Sequence, residues 1–502
     1  MTEESGILCI DLSSQKIKTA IVKQNCEIIA STEQRYYFKN DDDVGFAKSY
    51  DPDDVWSKVI NGVQNVIKKS KLNPANIIGI TSCAQRLACV FLSKEGEELY
   101  AGPNCDARGV DSQYLIDDEM EEDELFEITG HNLLPMVPLT RLMWFLDEEE
   151  EIFEQIGKML SLDDWIVYKL TNKFCTDPSS AADSFVFDIT KNKWSDKIID
   201  TLDLDRDLFP EIIQVGDIAG ELTSVAADKL GLLKSTPFIK TGADTQASLI
   251  GARCISTGNV GIAMGTTAPL YMVLDSPKID PKQNVWTTCH AIKDKWLLES
   301  NTGFTGQVYD WYKDKFLDGL SNDLNSLVET YINETEPGAN STLAYLGPER
   351  MNFKEETNIK PGVFVLPTPG SISEILSDRQ NFMRAILENI GFGILENLNQ
   401  ILDFEPNYDK IYCCGGMANL KSFNQMLSNI LNKEISIPEI KESSFIGEAI
   451  TVLIGLGHYK DYESASKELI NVSQIIPDDS ISSKYESIYK RWSRLKEHID
   501  QI

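Results

Sequence analysis

Short apolar runs broken by polar turns alternate with longer stretches of helical spacing, and the alternation occurs twice along the chain. Gly6-Ile-Leu-Cys-Ile-Asp11-Leu-Ser-Ser-Gln-Lys-Ile-Lys18-Thr-Ala-Ile-Val22 reads as strand, polar turn, strand. A third strand near Glu27–Ala30 completes a meander. Val55, Val59, Val63, Val66 and Ile67 recur at helical spacing and predict a helix over Val55–Lys68. Strands follow at Ile77–Thr81 and Ala88–Leu92, an amphipathic helix at Trp165–Leu170, and a strand at Pro237–Lys240.

The second half repeats the opening. Gly258-Asn-Val-Gly-Ile-Ala-Met264-Gly265-Thr266-Thr267-Ala-Pro-Leu270-Tyr-Met-Val273 is again strand, Gly/Thr turn, strand. Next come a strand at Trp296–Glu299, a helix at Gln307–Phe316 and a long helix at Asp378–Leu402. Lys410-Ile-Tyr-Cys-Cys414-Gly415-Gly416 is a strand ending in two glycines, with Phe423, Met426, Leu427 and Ile430 on one face of the helix after it. The pattern predicts two related α/β domains, 1–253 and 254–502, joined near Gly251–Gly258 without a low-complexity linker.

Composition narrows the function. The 502 residues carry a net charge of −31, which argues against a general nucleic-acid or anionic-membrane binder, since both need basic faces. An anionic substrate in a local pocket stays open. No apolar run reaches the roughly 20 residues of a membrane span; Ala449–Gly457 is far too short. Met1-Thr-Glu-Glu-Ser5 lacks the basic start of a signal peptide. Ten cysteines without a Cys-x-x-Cys pair read as reduced thiols of a cytoplasmic protein. Four scattered histidines argue against zinc. The acid-rich stretches Asp117–Glu127 and Asp147–Glu154 read as solvated helix faces. The composition leaves a homo-oligomer open.

There is no Walker A sequence and no Gly-x-Gly-x-x-Gly after a strand. The remaining way to hold phosphate is a polar turn between strands whose backbone N–H groups face an anion. Asp11–Lys18 and Gly265–Thr267 are two such turns, one per half; each also fits a plain hairpin. Asp11 ends an apolar strand, where it serves either as a turn former or as a water-mediated Mg²⁺ holder. Thr241-Gly-Ala-Asp244-Thr-Gln246 links a strand to a helix. There Asp244 is either an N-cap or a general base, kept ionised by the helix N-terminus. Gln85, Arg86, Asn104, Asp106 and Arg108 lie at strand ends, where a polyhydroxylated ligand would find its hydrogen bonds. An Asp106–Arg108 loop salt bridge is the plainer reading of that pair.

The order of these segments resembles the FGGY family of carbohydrate kinases, in the superfamily that sugar kinases share with actin and the heat-shock chaperone ATPases. The resemblance runs from Gly6 to about Trp492. It is carried by Asp163-Asp-Trp165-Ile-Val-Tyr-Lys-Leu-Thr171 with Thr176-Asp177-Pro-Ser179, by Leu208-Phe-Pro-Glu-Ile-Ile, and by Thr241-Gly-Ala-Asp244. Tyr345-Leu-Gly-Pro-Glu-Arg350, Arg384-Ala-Ile-Leu-Glu388, Gly415-Gly416-Met-Ala418-Asn419 and Gly447-Glu-Ala449 complete it. It implies two ribonuclease H-like domains flanking a catalytic cleft, with ATP and Mg²⁺ as cofactors and a small sugar or polyol as substrate. It further implies Asp244 as catalytic base and Asp11 as the metal residue. Ser13, Ser14, Lys18, Gly265, Thr266, Thr267, Gly415, Gly416 and Asn419 would hold the nucleotide. Gln85, Arg86, Asn104, Asp106, Arg108, Asp244 and Gln246 would bind the substrate.

Some positions depart from the family pattern. Ser13 stands where the family commonly has Gly, Leu87 where glycerol kinases carry a substrate-binding Glu, and Asn104 where many members have Trp. The Asn-x-Asp-x-Arg segment is similar to autoinducer-2 kinases and the general layout to xylulose kinases. The expected activity is ATP-dependent phosphorylation of a four- to six-carbon ketose or polyol. The competing readings are an ATP-driven conformational protein of the superfamily and a regulatory member without turnover.

Overall fold

The computed structural model describes residues 5–41, 44–353, 361–367 and 377–499, which fall into two compact units. The first holds the chain up to Ile255 together with Leu274–Leu297 and Glu442–Ile470; the second holds Ser256–Val273, Leu298–Lys441 and the chain from Asn471. The exit at Ile255 lies within the expected Gly251–Gly258 junction. The expectation of one body over 254–502 differs from this division, because two later segments bury their apolar residues in the first unit. The acidic start, Met1–Glu4, lies outside the described residues.

The sheet of the first unit contains β1 (Gly6–Ser13), β2 (Lys16–Lys23), β3 (Ile28–Arg35), β4 (Ile77–Ala84), β5 (Ile218–Glu221), β6 (Pro237–Ile239) and β7 (Gly242–Ala243). Its order is β5-β6-β4-β1-β2-β3, with β7 also on β4. The meander β1-β2-β3 is antiparallel, while β4 runs parallel to β1, β6 and β7. Strand β1 is buried along nearly its whole length, as expected of a central strand covered on both faces. Edge strand β3 alternates and turns polar after Ala30. Helix α1 (Pro52–Ser70) starts on an Asp51 cap with Pro52 in its first turn. It lays Val55, Val59, Val63 and Val66 on the sheet. Helix α2 (Leu162–Thr171) opens with a Ser161–Asp164 capping box. The acid-rich segment near Asp117–Glu127 shows an exposed acidic face over buried Met120, Leu125 and Phe126.

Two further helices of this unit, α3 (Asp244–Gly251) and α4 (Ser443–Gly455), meet backbone to backbone. A Cβ at Gly251 would lie 1.9 Å from the Ser443 carbonyl oxygen, and one at Gly447 would lie 1.8 Å from that of Ala247. Only glycine permits this approach. Helix α4 is apolar nearly all round because it is covered by α3 on one side and by β1 and β4 on another.

The second unit has a sheet of the same kind, formed by β8 (Val260–Ala263), β9 (Thr267–Leu274), β10 (Trp296–Phe304), β11 (Ile411–Cys414), β12 (Ile435–Pro438) and β13 (Val472–Ile475). They run in the order β10-β9-β8-β11-β12-β13. Again a hairpin (β8-β9) precedes parallel strands (β8-β11-β12), and an antiparallel strand (β13) closes the edge. The long helix expected at Asp378–Leu402 spans Arg379–Phe404 behind an Asp378–Asn381 capping box. The helix expected over Gln307–Phe316 is regular over Gly306–Tyr312 and widens into a π turn over Lys313–Leu317.

Gly251→Ala and Gly447→Ala should each destabilise the first unit by about 1–3 kcal/mol or more, the cost of overpacking a rigid contact. Thermal melts followed by circular dichroism test this, and unchanged midpoints in both variants would refute the close-contact account.

Candidate active site

The first polar turn is a tight hairpin: Asp11 faces Lys18 and Ser13 faces Lys16 across β1 and β2. The Asp11 carboxylate is buried and accepts from Ser13 Oγ at 2.9 Å and Ser444 Oγ at 2.8 Å. Burial raises its pKa, against the pull of Lys18 and the two hydroxyls. Lys18 is held at 2.9 Å by Glu442, just ahead of α4. Neither Ser13 nor Ser14 takes a left-handed backbone, so the serine at 13 fits the turn without strain, and its hydroxyl serves Asp11.

Asp244 is the first residue of α3, and the cap position belongs to Ala243. The N-cap reading is therefore corrected. The Asp244 carboxylate accepts from the Thr245 N–H at 2.6 Å and the Thr245 hydroxyl at 3.2 Å. Burial, and then repulsion from Asp11, push its pKa up to about 7, against the Thr245 bonds and the Arg86 charge. The Asp11 carboxylate, flanked by two hydroxyls and repelling Asp244, is a hard-oxygen donor that fits a hydrated divalent cation.

A cavity opens in this unit, with Gln85, Arg86, Leu87, Asp183, Ser184 and Ala243 among its lining residues. Arg86 clamps Asp183 through Nε and Nη2 at 2.8–3.1 Å, a paired-charge wall in which the sequence reading had only the arginine. Leu87 takes a left-handed backbone (φ 63°) and packs with the neighbouring apolar cluster. Gln85 uses both protons of its Nε2 on Tyr50 at 2.6 Å and Tyr36 at 3.1 Å.

Other expected substrate residues are placed elsewhere. Asp106 accepts from the Lys48 N–H, the Tyr100 hydroxyl, and the Arg108 N–H and Nε. Arg108 lies over the rings of Tyr100, Trp144 and Phe145. The pair is buried and saturated, so the salt-bridge reading holds and neither side chain lines the cavity. Gln246 is also corrected: its amide bridges the Cys289 carbonyl and the Ala291 N–H, both at 3.2 Å. This clamp ties Leu274–Leu297 to α3. Asn104 reaches Ser14 Oγ at 3.5 Å, on the phosphate-turn side.

In the second unit, Gly265 and Thr266 are exposed at the β8-β9 turn. Gly415 (φ 92°) ends β11 so close to Met264 that a Cβ would lie 2.5 Å from its carbonyl oxygen. The Met417 N–H donates to that same oxygen at 3.2 Å, and Asn419 closes the short helix onto Gly416 at 3.1 Å. Gly265–Thr267 and Gly415–Asn419 are thus neighbours. The sequence reading missed Gly306: the Thr305 and Gln307 N–H groups donate to the Thr266 carbonyl, and a Cβ at 306 would lie 2.2 Å from that of Gly265.

Also missed was a buried ion cluster behind Asp244. Lys240 Nζ contacts Asp163, Asp164 at 2.6 Å and Asp177 at 3.4 Å. Burial opposes its charge, but the three carboxylates outweigh it and raise the pKa far above the ordinary value. The three acids are spaced for a metal, yet the ammonium serves as their cation. A lone Lys in a β-prone run gives no sequence signal of this.

Comparison with known proteins identifies the family. The model of the FGGY family of carbohydrate kinases, N-terminal domain, matches residues 6–251, and that of the C-terminal domain matches 260–456. An autoinducer-2 kinase of Enterobacter sp. (strain 638) is 24% identical over 99% of this chain and 95% of that protein. The ligand-bound xylulose kinase from Lactobacillus acidophilus superposes with a TM-score of 0.86 at 20% identity, over 99% of this chain and 98% of that one. The Plasmodium falciparum glycerol kinase with ADP gives 0.82 at 20% identity, over 99% and 98%.

Asp106→Ala would strand Arg108 as a buried unpaired charge, a loss of roughly 3–5 kcal/mol. It should lower the melting temperature by several degrees, and Arg108→Met in the same chain should restore part of the loss. A silent Asp106→Ala melt would contradict the structural role.

Proposed function

The chain belongs to the FGGY family of carbohydrate kinases and is an ATP-dependent sugar kinase of two ribonuclease H-like domains; we propose that its acceptor is a four- to six-carbon ketose or polyol and that Asp244 is its general base. What supports this is the placement of Asp244: it is the first residue of α3 and accepts from the Thr245 N–H, and Asp11 of the phosphate turn and Arg86 of the cavity wall both act on its charge. A base with a pKa near the working pH balances the ionised fraction against proton affinity.

The chemistry is one displacement. Asp244 accepts the proton of the substrate hydroxyl as that oxygen bonds to the γ-phosphorus of ATP. The bond from phosphorus to the bridging oxygen breaks, and ADP leaves with those electrons. The proton on Asp244 then passes to solvent. Such transfers depend on positioning and charge stabilisation more than on covalent help from the protein. Ser13, Ser14 and Lys18 form the first phosphate turn, and Gly265, Thr266 and Thr267 the second, with Gly415, Gly416 and Asn419 beside the adenosine. Asp11 would hold Mg²⁺ through water, supplying charge neutralisation at the phosphates.

On the acceptor side, Gln85, Arg86 and Asp183 offer oriented polar groups, while Leu87 is an apolar neighbour. Leu87 offers glycerol no hydrogen-bond partner, whereas a longer chain recovers bonds from the polar groups of the wall. Autoinducer-2 belongs on the substrate panel because the relative at 24% identity carries that name. All ten cysteines are free thiols, which suits a reducing cytoplasm. No described helix is long and apolar enough to cross a membrane.

Asp244→Asn should lower turnover on the order of 10²-fold or more with little change in melting temperature, since the amide relieves the repulsion with Asp11. Near-normal sugar-dependent ADP release by this variant would refute the assignment. The active form is deprotonated, so kcat/KM should fall about tenfold per pH unit below about 7 and level off above it; a profile flat from pH 5 to 8 would contradict the base. Over a panel of tetritols, pentuloses, hexuloses, autoinducer-2 and glycerol, kcat/KM for the preferred substrate should exceed that for glycerol by roughly tenfold or more. Glycerol as the best substrate would overturn the acceptor class.

A further inference from the structure

Gln85 lines the cavity of the first unit, and its amide orientation is determined by its partners. Tyr36 donates its single hydroxyl proton to the Ser13 carbonyl at 2.5 Å, and Tyr50 donates its own to the Ser14 carbonyl at 3.2 Å. Both hydroxyls must therefore accept from Gln85, so Nε2 faces them and Oε1 faces away. That Oε1 is buried and has no hydrogen-bond partner among the described residues. The two rings lie 4.9 Å apart, and Tyr36 is fully buried. A buried acceptor without a partner is costly and marks where a ligand donor is wanted.

We propose that Tyr36 and Tyr50 are positioning residues that couple the acceptor cavity to the phosphate turn: Gln85, once it accepts a substrate hydroxyl through Oε1, tightens the two tyrosine bonds that shape Ser13–Ser14. This rests on the kinase reading of the same unit. Neither tyrosine touches substrate or nucleotide. Each acts through a carbonyl whose orientation sets where the neighbouring N–H groups point. A donor to Oε1 polarises the amide, strengthens the Nε2 donors and makes the hydroxyls better donors to the carbonyls in turn, because chained hydrogen bonds reinforce one another. The coupling is reciprocal, so phosphate held on the turn makes Gln85 a better acceptor.

The test is a double-mutant cycle read by calorimetry with Mg·ADP as the probe on the full chain. Tyr36→Phe/Tyr50→Phe removes both hydroxyls and keeps the rings. Gln85→Met removes the amide at similar volume. Each should weaken Mg·ADP binding by about fivefold or more, the scale of a lost hydrogen bond, while the melting midpoint moves by a few degrees at most. With the tyrosines already changed, Gln85→Met should weaken binding by less than about twofold. An equal loss in both backgrounds overturns the coupling, as does a Gln85→Met variant with unchanged Mg·ADP affinity. If the double tyrosine variant does not fold, Tyr50→Phe alone, which removes the longer bond, carries the cycle with the same criteria. A wild-type chain that binds no Mg·ADP would overturn the kinase reading and the coupling with it, which distinguishes that failure from failure of the coupling alone.

Discussion

The chemistry of the first unit depends on one contact, the backbone-to-backbone meeting of α3 and α4 at Gly251 and Gly447. Helix α3 begins with Asp244. The start of α4 brings Ser444 to Asp11 and the preceding Glu442 to Lys18. Wider spacing of the helices would move the hydroxyl off the Asp11 carboxylate and change the repulsion that raises Asp244. A helix from residue 443 onward thus completes a site that begins at residue 11. This explains why Glu442–Ile470 belongs to the first unit although more than 150 residues of the second precede it in sequence.

A second constraint lies behind α3. Lys240, Asp163, Asp164 and Asp177 are all buried, and an ammonium so placed is tolerable only because three carboxylates surround it. The cluster draws α2, the Asp177 cap and the end of β6 to one point. Gly242 follows in a left-handed conformation, where a Cβ would lie 2.8 Å from Ser179 Oγ and 2.9 Å from an Asp177 oxygen. The chain from Lys240 to Asp244 is held on both sides, so the carboxylate rests on a rigid support. Desolvation is strong enough here to push Asp163 to about 6, against the attraction of Lys240.

The two units solve the same problem with different residues. Each places a polar turn between the first two strands of its sheet. In the first, side chains do the work: Ser13 and Ser14 without left-handed backbone, an acid beside them, and tyrosines below. In the second, backbone does it: Gly265, Gly306 and Gly415 let three loop segments approach within distances that a side chain would forbid. The first arrangement sets charged and hydroxyl side chains at its turn, and the second leaves Gly265 and Thr266 exposed at its own.

Much of this was legible in the chain. Apolar runs of period two and 3.6 are local properties, so β1, β2, α1, β8, β9 and the helix at Arg379–Phe404 follow from the residues themselves, with boundaries shifted by a few positions where caps such as Asp51 and Ser161 extend a helix. The order of the motifs identified the family, and Asp11 and Asp244 stood out as acids at strand ends. Charge pairing between distant segments was not legible. The local Asp106–Arg108 salt bridge was one of two readings of that pair, and only the fold added the Lys48 N–H and Tyr100 hydroxyl that saturate Asp106. Gln246 looked like a ligand residue, and packing made it a clamp on Cys289 and Ala291. Asp183, Ser444 and Lys240 carried no signal because their partners lie 97, 433 and 77 residues away at the furthest. Local spacing determines which elements form and where an acid can end a strand, whereas burial, which sets the pKa of Asp244 and decides which polar groups remain for a ligand, depends on how distant segments pack together.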